Sequence, residues 1–527
     1  MYPCPISKLV DMKCILSVFY CCIFLTLNSA FTQTTFNKLY AFDFPTANIS
    51  GVVPTDSCYY LKATFNDTII PTRLGIMMFK INLVGEIEFI KTIKNPDKLF
   101  SNDYCNLLQG AEGNMYEVAL EGDSVSRALL IKYSPQGDTI ATHKYYSILF
   151  PALQYFVPRV IRQRQDGGFA ILFGHESILG IDFDISLLLL DSLYNIEQYK
   201  ILGSSPLQET ATALVLDDDG GYIVGANREN SNYVTKNFTN RTLIIKTNAT
   251  GSPVWQWLSP QGQLWGEAEA MFKTSDGGLV VASRRGTEVF VNPLDGIIEW
   301  DANVFKLDAD RNMVWSTPLR GYTPSPTTGL VEMVEAMDGS GYVVTGFAAD
   351  SISGPSSGFG CWLAKVSTDG DSLWARYYSW IDGANLNPEP WALAATPDGG
   401  YIVAGTTLKA GLPIPGWVLK LDQYGCLVPG CQTTATTEQA GNPASIHLSI
   451  YPNPTSDYLN FIARAANPAI PATFRIISSE GRLFREFKTA NLQPTFVVPV
   501  ADCPSGAYWL QLAVDGVVVQ SEKFIKQ

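Results

Sequence analysis

Few residues of this 527-residue chain have types and spacings that predict catalysis. There are three histidines, His143, His175 and His447, which excludes a histidine-rich metal centre, and no His/Cys cluster has zinc spacing. No Gly-x-Ser-x-Gly phrase stands at a strand-to-helix elbow, and no phrase places a Ser and an Asp beside a histidine. We therefore predict no catalytic residue, no metal and no cofactor.

Three acidic phrases, beginning at Asp217, Asp308 and Asp369, contain oxygen ligands that calcium could use. An EF-hand-like loop needs a longer acidic series and a Glu at its twelfth position, which these phrases lack. Asp also favours turns, because its side chain hydrogen-bonds the backbone two residues on. Turn formation is therefore the favoured interpretation of these phrases.

A further group combines tryptophan with arginine and glutamate, a combination that suits stacking on sugar rings and hydrogen bonding to hydroxyls. The candidate ligand-binding residues are Trp265, Glu267, Arg284, Arg285, Glu332, Trp380 and Trp391. The alternative is that most of these tryptophans pack loops onto the scaffold. Which alternative holds depends on the elements that position them.

One phrase, Asp-Gly-Gly followed by an apolar strand, recurs through the middle of the chain. Clear copies begin at Asp166, Asp219, Asp276, Asp338 and Asp398, and weaker ones at Cys58 and Gly113. The residues after the glycines, 53 to 63 residues apart, are Tyr59, Tyr116, Phe169, Tyr222, Leu279, Tyr342 and Tyr401. Such a period indicates a repeat architecture.

A second phrase follows each copy of the first and contains a lysine with a turn residue five positions later. The lysine positions are Lys80, Lys132, Leu190, Lys246, Lys306, Lys365 and Lys420, and the turn positions are Gly85, Gly137, Asn195, Gly251, Arg311, Gly370 and Gly425. Glycine permits the positive φ of tight hairpin turns, and the Val, Ile and Tyr between the turns suit strands. Four strands per unit, here called a to d, predict an all-β fold with a seven-bladed β-propeller over residues 31–431.

The order of the strands predicts how the ring closes and where a ligand binds. The last repeat lacks strand d, and the segment from Thr35 resembles one, so the N-terminal strand is expected to complete the last blade. The short a–b and c–d turns share one face, while the long, variable b–c and d–a connections share the other. Because function concentrates in variable loops on a rigid scaffold, we place the candidate ligand site on the long-loop face, around the central mouth.

Composition and the N-terminus indicate an exported protein. With 37 Lys+Arg and 50 Asp+Glu the net charge is −13, which argues against nucleic-acid and anionic-membrane binding. Lys13, an apolar run from Cys14 to Leu27 and Ala30 fit a signal peptide at residues 1–30. The run is too short to span a bilayer comfortably, and we expect no transmembrane anchor in the mature chain.

Export permits disulfides. Cys426 and Cys431 enclose a turn-forming Leu-Val-Pro-Gly spacer and are the predicted pair. The pairing of Cys58, Cys105, Cys361 and Cys503 is open, with free buried thiols as the alternative.

The tail is a different module. Residues 432–445 are rich in Thr, Ala and Gly and predict a linker, and the short strands of residues 446–527 predict a small β-sandwich. The tail motifs are carried by Tyr451, Pro452, Asn453, Pro454, Gly481, Gly506, Tyr508, Lys523 and Phe524. In this order they resemble the type IX secretion C-terminal sorting domain of Bacteroidetes. The resemblance implies the type IX secretion machinery as partner, translocation across the outer membrane, and release or surface attachment of the passenger.

The favoured hypothesis is an exported, non-catalytic binding or adhesion propeller, with an extracellular glycan or protein as ligand. One alternative is an extracellular polysaccharide hydrolase or lyase that uses carboxylates on the variable-loop face. Another is a structural surface protein with no specific ligand. A pair of carboxylates about 5–9 Å apart would favour the enzyme.

Overall fold

The computed structural model describes residues 33–68, 74–95, 97–102, 105–122, 126–145, 156–176, 183–203, 207–232, 237–260, 264–292, 295–319, 328–349, 359–378, 380–381, 384–385, 387–408, 414–427, 447–451, 453–464, 471–478, 483–489, 496–514 and 517–527. These residues form strands and turns, and they include no helix that could cross a membrane. The chain divides into two compact units, Met1–Pro429 and Gly430–Gln527. The predicted signal peptide and linker lie outside the described residues, so their limits stay predictions.

The first unit contains a long series of short strands. In chain order they are β1 (Phe36–Tyr40), β2 (Ala47–Pro54), β3 (Cys58–Asn66), β4 (Leu74–Asn82), β5 (Ile87–Ile93), β6 (Leu99–Ser101), β7 (Leu108–Gln109), β8 (Met115–Gly122), β9 (Ser126–Tyr133), β10 (Thr139–Tyr145), β11 (Phe156–Gln163), β12 (Phe169–Glu176), β13 (Phe183–Leu190), β14 (Ile196–Ile201), β15 (Gln208–Leu216), β16 (Tyr222–Asn232), β17 (Asn237–Thr247), β18 (Pro253–Leu258), β19 (Leu264–Lys273), β20 (Leu279–Asn292), β21 (Asp295–Leu307), β22 (Met313–Pro318), β23 (Thr328–Glu335), β24 (Gly341–Ala349), β25 (Phe359–Ser367), β26 (Ser372–Tyr378), β27 (Trp380–Ile381), β28 (Ala384–Asn385), β29 (Asn387–Ala395), β30 (Tyr401–Leu408) and β31 (Gly416–Leu421).

Most of these strands form four-stranded antiparallel sheets, here called blades, in which each strand pairs with the next along the chain. The blades are β2–β5, β11–β14, β15–β18, β19–β22 and β23–β26, while β6 and β7 both pair with β8 in the blade that continues through β9 to β10. Short turns join the strands, since glycines such as Gly220 and Gly277 adopt φ of +81°. The expected four-stranded repeat unit is therefore present.

The start of the chain completes the last blade, whose order is β29-β30-β31-β1. Strand β1 pairs antiparallel with β31, from Phe36 opposite Lys420 to Tyr40 opposite Gly416. The Trp417 indole N–H also donates a hydrogen bond of 2.7 Å to Asn37 Oδ1. The N-terminal strand thus covers β31, which would otherwise be an exposed edge.

The blades pack face to face and form a closed, propeller-like ring. Each neighbouring pair shares an apolar cluster, as where Leu187 of one blade and Val224 of the next are both fully buried. The last blade packs against the first in the same way, through Ile402 and Val418 on one side and Leu61 and Phe79 on the other. Burial of these apolar faces is the main favourable contribution to holding the ring together.

The second repeated phrase is explained by a contact between blades. The turn glycines have φ of +70° to +92°, and a Cβ built at Gly370 would lie 2.7 Å from Trp315 of the preceding blade. Gly425 meets Trp374 at the same distance. The glycine therefore meets two demands, a left-handed backbone and space for the aromatic ring.

Two copies of this turn lack glycine. Arg311 adopts φ of +70° and its guanidinium lies 5.2 Å from the Trp255 ring, a cation–π contact. In the third copy the equivalent residue is Tyr194, which has φ of +66°. It is identified by its N–H, which donates to Asp191 O and closes the turn. The sequence alignment on Leu190 and Asn195 is wrong there by one residue, since the register makes Leu189 the counterpart of the lysines.

The second unit is also all β. Its strands are β32 (His447–Tyr451), β33 (Tyr458–Arg464), β34 (Ala472–Ser478), β35 (Leu483–Thr489), β36 (Phe496–Pro499), β37 (Gly506–Val514) and β38 (Val517–Lys526). They form one sheet of order β32-β33-β36 and another of order β35-β34-β37-β38. One apolar core, which includes Phe461 of the first sheet and Phe474 and Leu510 of the second, joins the two sheets.

Candidate functional site

The innermost strands of the propeller-like unit share a local irregularity. In six of the blades that the structure describes, strand a is a single continuous strand, and each of these six strands carries a β-bulge in its pairing with strand b. The extra residues at these bulges are Ser50, Arg159, Thr212, Glu269, Val331 and Trp391. A bulge re-aims a side chain out of the regular alternation of a strand. The same irregularity thus presents a different residue type from each blade.

The bulge residues all line one cavity of about 570 Å³. In the blade whose inner strand is interrupted between β6 and β7, Asn106 contributes to the same wall. The cavity is surrounded by β2, β11, β15, β19, β23 and β29, and it occupies the centre of the ring. Arg162, Arg284 and Glu332 add further charges to its lining.

One arginine holds two glutamates at this cavity. Arg284 Nη2 lies 3.0 Å from Glu269 Oε1 and also binds Glu267 Oε2, so both carboxylates share one guanidinium nitrogen. Burial raises the pKa of Glu269 above its ordinary value, Arg284 opposes this shift, and the neighbouring Glu267 and Glu332 carboxylates add to it. The pKa of Glu269 is raised to about 8, so this carboxyl favours its protonated form near neutral pH.

Glu332 and Arg162 form a second charged group. Burial raises the pKa of Glu332 to about 7, against the opposing effect of Arg162. Glu332 Oε1 also accepts a hydrogen bond of 3.3 Å from the Met333 N–H. Glu332 therefore changes its charge in the physiological pH range, beside a permanent cation.

The uncharged residues of the wall are fixed by hydrogen bonds. Thr212 Oγ1 donates to Ala268 O of the next blade at 2.7 Å, and Asn106 Oδ1 accepts from the Ile161 N–H at 2.9 Å. Ser50 Oγ accepts from the fully buried Lys62 Nζ at 2.9 Å. The first two contacts tie neighbouring blades together and the third joins two strands of one blade, so the wall is preorganised.

The residues predicted from the sequence divide between this cavity and the core. Arg284, Glu332 and Trp391 line the cavity, and Glu267 reaches it through Arg284. Trp265 is 2% exposed and packs edge-on against Phe305.

Two more of the predicted residues lie elsewhere. The Arg285 guanidinium is 5.7 Å from the Trp265 ring, so Arg285 covers that buried tryptophan. Trp380 pairs through its backbone with Asn385, and its side chain lies outside the described residues.

Sequence reasoning missed Arg159, Arg162 and Glu269. The bulge residues and Asn106 stand nine to eleven residues before the first aromatic or leucine of the next strand, such as Phe169 or Leu279. This nearly constant offset could identify the cavity-lining positions in the sequence. It does so only once the β-bulge is known, and residue composition does not predict the bulge.

The aspartates of the repeated Asp-Gly turns have a structural role. The aspartate of each Asp-Gly turn accepts a backbone N–H two residues on, as Asp276 Oδ1 does from Gly278 at 3.1 Å. The strand-c lysine then pairs with it, with N–O distances of 2.6 Å for Lys246–Asp219, 2.5 Å for Lys306–Asp276, 3.7 Å for Lys365–Asp338 and 2.9 Å for Lys420–Asp398.

In the blade β11–β14, which has no lysine at this position, Arg164 pairs with the turn aspartate, Asp166, instead. Among the described residues no group of His, Cys, Asp and Glu is arranged to hold a metal ion.

The cysteines divide into two kinds. Cys58, Cys105, Cys361 and Cys503 are free and buried, which resolves the alternative left open for them. Cys426 is disulfide-bonded. Its predicted partner, Cys431, lies outside the described residues, so that pairing stays a prediction.

The tail motifs meet in the second unit. Asn453 accepts a hydrogen bond of 2.9 Å from the Ile525 N–H and donates one of 3.1 Å to Lys523 O. Tyr508 stacks on the fully buried Phe524, with ring centroids 5.5 Å apart. Tyr451 ends β32 and Gly506 begins β37, whereas Pro452 and Gly481 lie outside the described residues.

The order of these motifs is matched by a known family. Residues 449–527 match the secretion system C-terminal sorting domain. This tail implies the type IX secretion machinery as partner, and export followed by secretion or attachment to the cell surface. No curated protein matches the chain.

Solved structures similar to the chain include a propeller, polysaccharide lyases and an arabinanase. An ulvan lyase bound to -[GlcA(1-4)Rha3S]- has 9% identity and a TM-score of 0.47, over 75% of this chain and 98% of that one. The Dos1 propeller has 10% identity and a TM-score of 0.40, over 73% and 95%. An α-L-arabinanase from Penicillium chrysogenum, complexed with arabinobiose, has 10% identity and a TM-score of 0.38, over 74% and 98%. At these scores, nothing about the activity of this chain follows from them.

Proposed function

We propose that this chain is a secreted or surface-attached protein of the Bacteroidetes type, whose seven-bladed propeller binds a saccharide in its central cavity without cleaving it. In this proposal residues 1–30 are a signal peptide, 31–431 the propeller and 432–445 a linker. Residues 446–527 form a β-sandwich that directs outer-membrane translocation.

The observation that carries the binding proposal is the set of bulge residues around the cavity. The scaffold repeats its turns, lysines and glycines, yet the bulge position holds Ser50, Arg159, Thr212, Glu269, Val331 and Trp391. Variation of residue type at one cavity-facing position of a repeated scaffold is typical of a binding site. A purely structural surface protein would not need it.

A saccharide fits the side chains present. Trp391 is 40% exposed although it lines the cavity, which leaves an aromatic surface for stacking on a sugar ring. Around it, the Arg and Glu side chains supply donors and acceptors for hydroxyl groups.

The test is a glycan array probed with the secreted chain, followed by the variant Trp391→Ala. We expect this variant to lose tenfold or more in affinity, which corresponds to roughly 1.4 kcal/mol, with an unchanged melting temperature. Tyr424→Ala is the matched control, because Tyr424 is also 40% exposed and lies in a short c–d turn away from the cavity. Equal binding by both variants would overturn the proposal.

A second candidate is an extracellular polysaccharide hydrolase or lyase. It is favoured by Glu269 and Glu332, since both line the same cavity and burial raises the pKa of both. A carboxylate with a raised pKa can serve as a general acid near neutral pH. Chromatography of array-positive polysaccharides after incubation decides between the candidates: shortened products would establish the enzyme.

A further inference from the structure

We infer that the saccharide held in the central cavity is acidic, carrying carboxylate or sulfate groups, and that Arg162 is the residue that recognises its charge. The inference rests on the proposed function and deepens it by naming the ligand class. It is carried by the location and the hydrogen bonding of the cavity arginines.

The cavity concentrates positive charge in an acidic protein. Three arginines, Arg159, Arg162 and Arg284, line it, although the chain as a whole has a net charge of −13. An acidic surface repels anionic polymers, so an anionic ligand would be attracted at this cavity more than elsewhere on the molecule. The contrast between cavity and surface therefore favours selective binding of an anion.

The cavity glutamates only partly neutralise these arginines. Glu267 and Glu269 both pair with Arg284 Nη2, so the charge of Arg284 is already paired within the protein. Glu332 remains as the carboxylate near Arg162, and its burial favours the protonated form until about neutral pH. At and below neutral pH, Glu332 therefore leaves the charge of Arg162, on β11, only partly neutralised.

Arg162 has the donors for an anion. Among the described residues it makes one hydrogen bond, from Nη1 to Ile161 O at 3.1 Å. A guanidinium has five N–H donors in a planar fork that matches carboxylate and sulfate oxygens, so most of its donors are available to a ligand. Charge-assisted hydrogen bonds of this kind are about twice as strong as neutral ones.

The experiment compares three oligosaccharides of equal length with the secreted chain by isothermal titration calorimetry. They are an oligogalacturonate, which carries carboxylates, a sulfated oligogalactan and a neutral oligogalactan. We expect one acidic oligosaccharide to bind at least tenfold more tightly than the neutral one. The preferred acid shows whether carboxylate or sulfate is recognised, and the preference should weaken as salt is added.

Variants then test Arg162. Arg162→Met removes the charge at similar length and should abolish the preference for the acidic oligosaccharide, while Arg162→Lys keeps the charge without the fork and should retain part of it. Arg475→Met is the control, because Arg475 pairs with Glu486 in the second unit. Melting curves show that each variant is folded.

The outcomes separate the two proposals. Equal affinity for neutral and acidic oligosaccharides overturns this inference and leaves the proposed saccharide binding intact. A preference that survives Arg162→Met in a folded variant also overturns it. If none of the three oligosaccharides binds, the inference fails, and the array result alone decides the proposed function.

Discussion

Single residues of the cavity wall control its charge, and Glu332 is one whose charge changes near neutral pH. Arg162 opposes its protonation, and Glu332 also interacts with Glu269, which in turn interacts with Arg284, Glu267 and Arg159. Burial raises the pKa of Glu332 to about 7, from an ordinary value of 4.5. The folded state therefore holds this proton more tightly than the unfolded state does.

Glu332→Gln should reverse a loss of stability at high pH. Between about pH 4.5 and pH 7 the folded protein binds more protons at this site, so its stability falls as the pH rises. The glutamine keeps the acceptor for the Met333 N–H but cannot ionise. We expect parent and variant to be equally stable at pH 4.5, and the variant to be more stable at pH 8 by up to roughly 3 kcal/mol.

Thermal melting at pH 4.5, 6 and 8 measures this difference. Glu335→Gln serves as the control, since Glu335 lies on the same strand and is exposed to solvent. A Glu332→Gln variant with the same pH slope as the parent would show that the buried carboxylate does not titrate as described.

At the scale of elements, the turns were predictable and the inner strands were not. Asp-Gly-Gly and the lysine–glycine spacing predict hairpins because positive φ and Asx hydrogen bonds are local demands, which each residue meets by its own chemistry. The bulges at Arg159 and Glu269 arise from pairing between strands, and one inserted residue changes which face a side chain occupies. The third copy was misaligned at Asn195 for the same reason, since only the register identifies Tyr194.

Part of the cavity lining could therefore be predicted from the sequence, whereas the placement of a ligand site on the long-loop face stays a prediction. The combination of tryptophan with arginine and glutamate led to Glu267, Arg284, Glu332 and Trp391, all at or beside the cavity. Trp265 was expected to bind ligand because large aromatics suit sugars, but its burial against Phe305 depends on the neighbouring strand. Burial and its effect on pKa are tertiary properties, and residue types alone do not provide them.

The turn glycines allow the contact between blades to be measured. Gly339 and Gly370 belong to the same blade and have φ of +67° and +92°, so both favour glycine. A Cβ at Gly339 would meet nothing within 4 Å, whereas one at Gly370 would lie 2.7 Å from Trp315. Gly339→Ala should cost about 1 kcal/mol of stability for the backbone alone. Gly370→Ala should cost a further 1–3 kcal/mol or so for the clash with the ring.

Denaturant titrations of the two variants give the difference. The double variant Gly370→Ala with Trp315→Ala should remove the clash, although it loses the ring's own packing. If Gly339→Ala and Gly370→Ala cost the same, the glycine–tryptophan contact contributes nothing beyond the backbone requirement.

At the scale of the whole molecule, the ring depends on a strand that lies far away in sequence from its partner. Strand β1 pairs with β31, and it also touches the first blade, since Lys38 Nζ donates to Val84 O at 2.7 Å and the Tyr40 hydroxyl to Gly85 O at 2.8 Å. Phe36 and Tyr40 are buried in the cluster that joins the last blade to the first. One short segment therefore completes a blade and fastens two neighbours.

Deletion of residues 31–42 should open the ring. Strand β31, whose residues are all buried, would become an edge, and exposed apolar edges promote aggregation. We expect the deletion variant to lose cooperative unfolding and to aggregate. Asn37→Ala removes the hydrogen bond from the Trp417 indole and should remain soluble, at a cost of about 1 kcal/mol.

A synthetic peptide of residues 33–42, added to the deletion variant, should restore solubility and melting by filling the vacant strand position, while a scrambled peptide should not. A deletion variant that melts and dissolves like the parent would mean that the blades hold together without this strand, and that closure of the ring rests on the apolar faces alone.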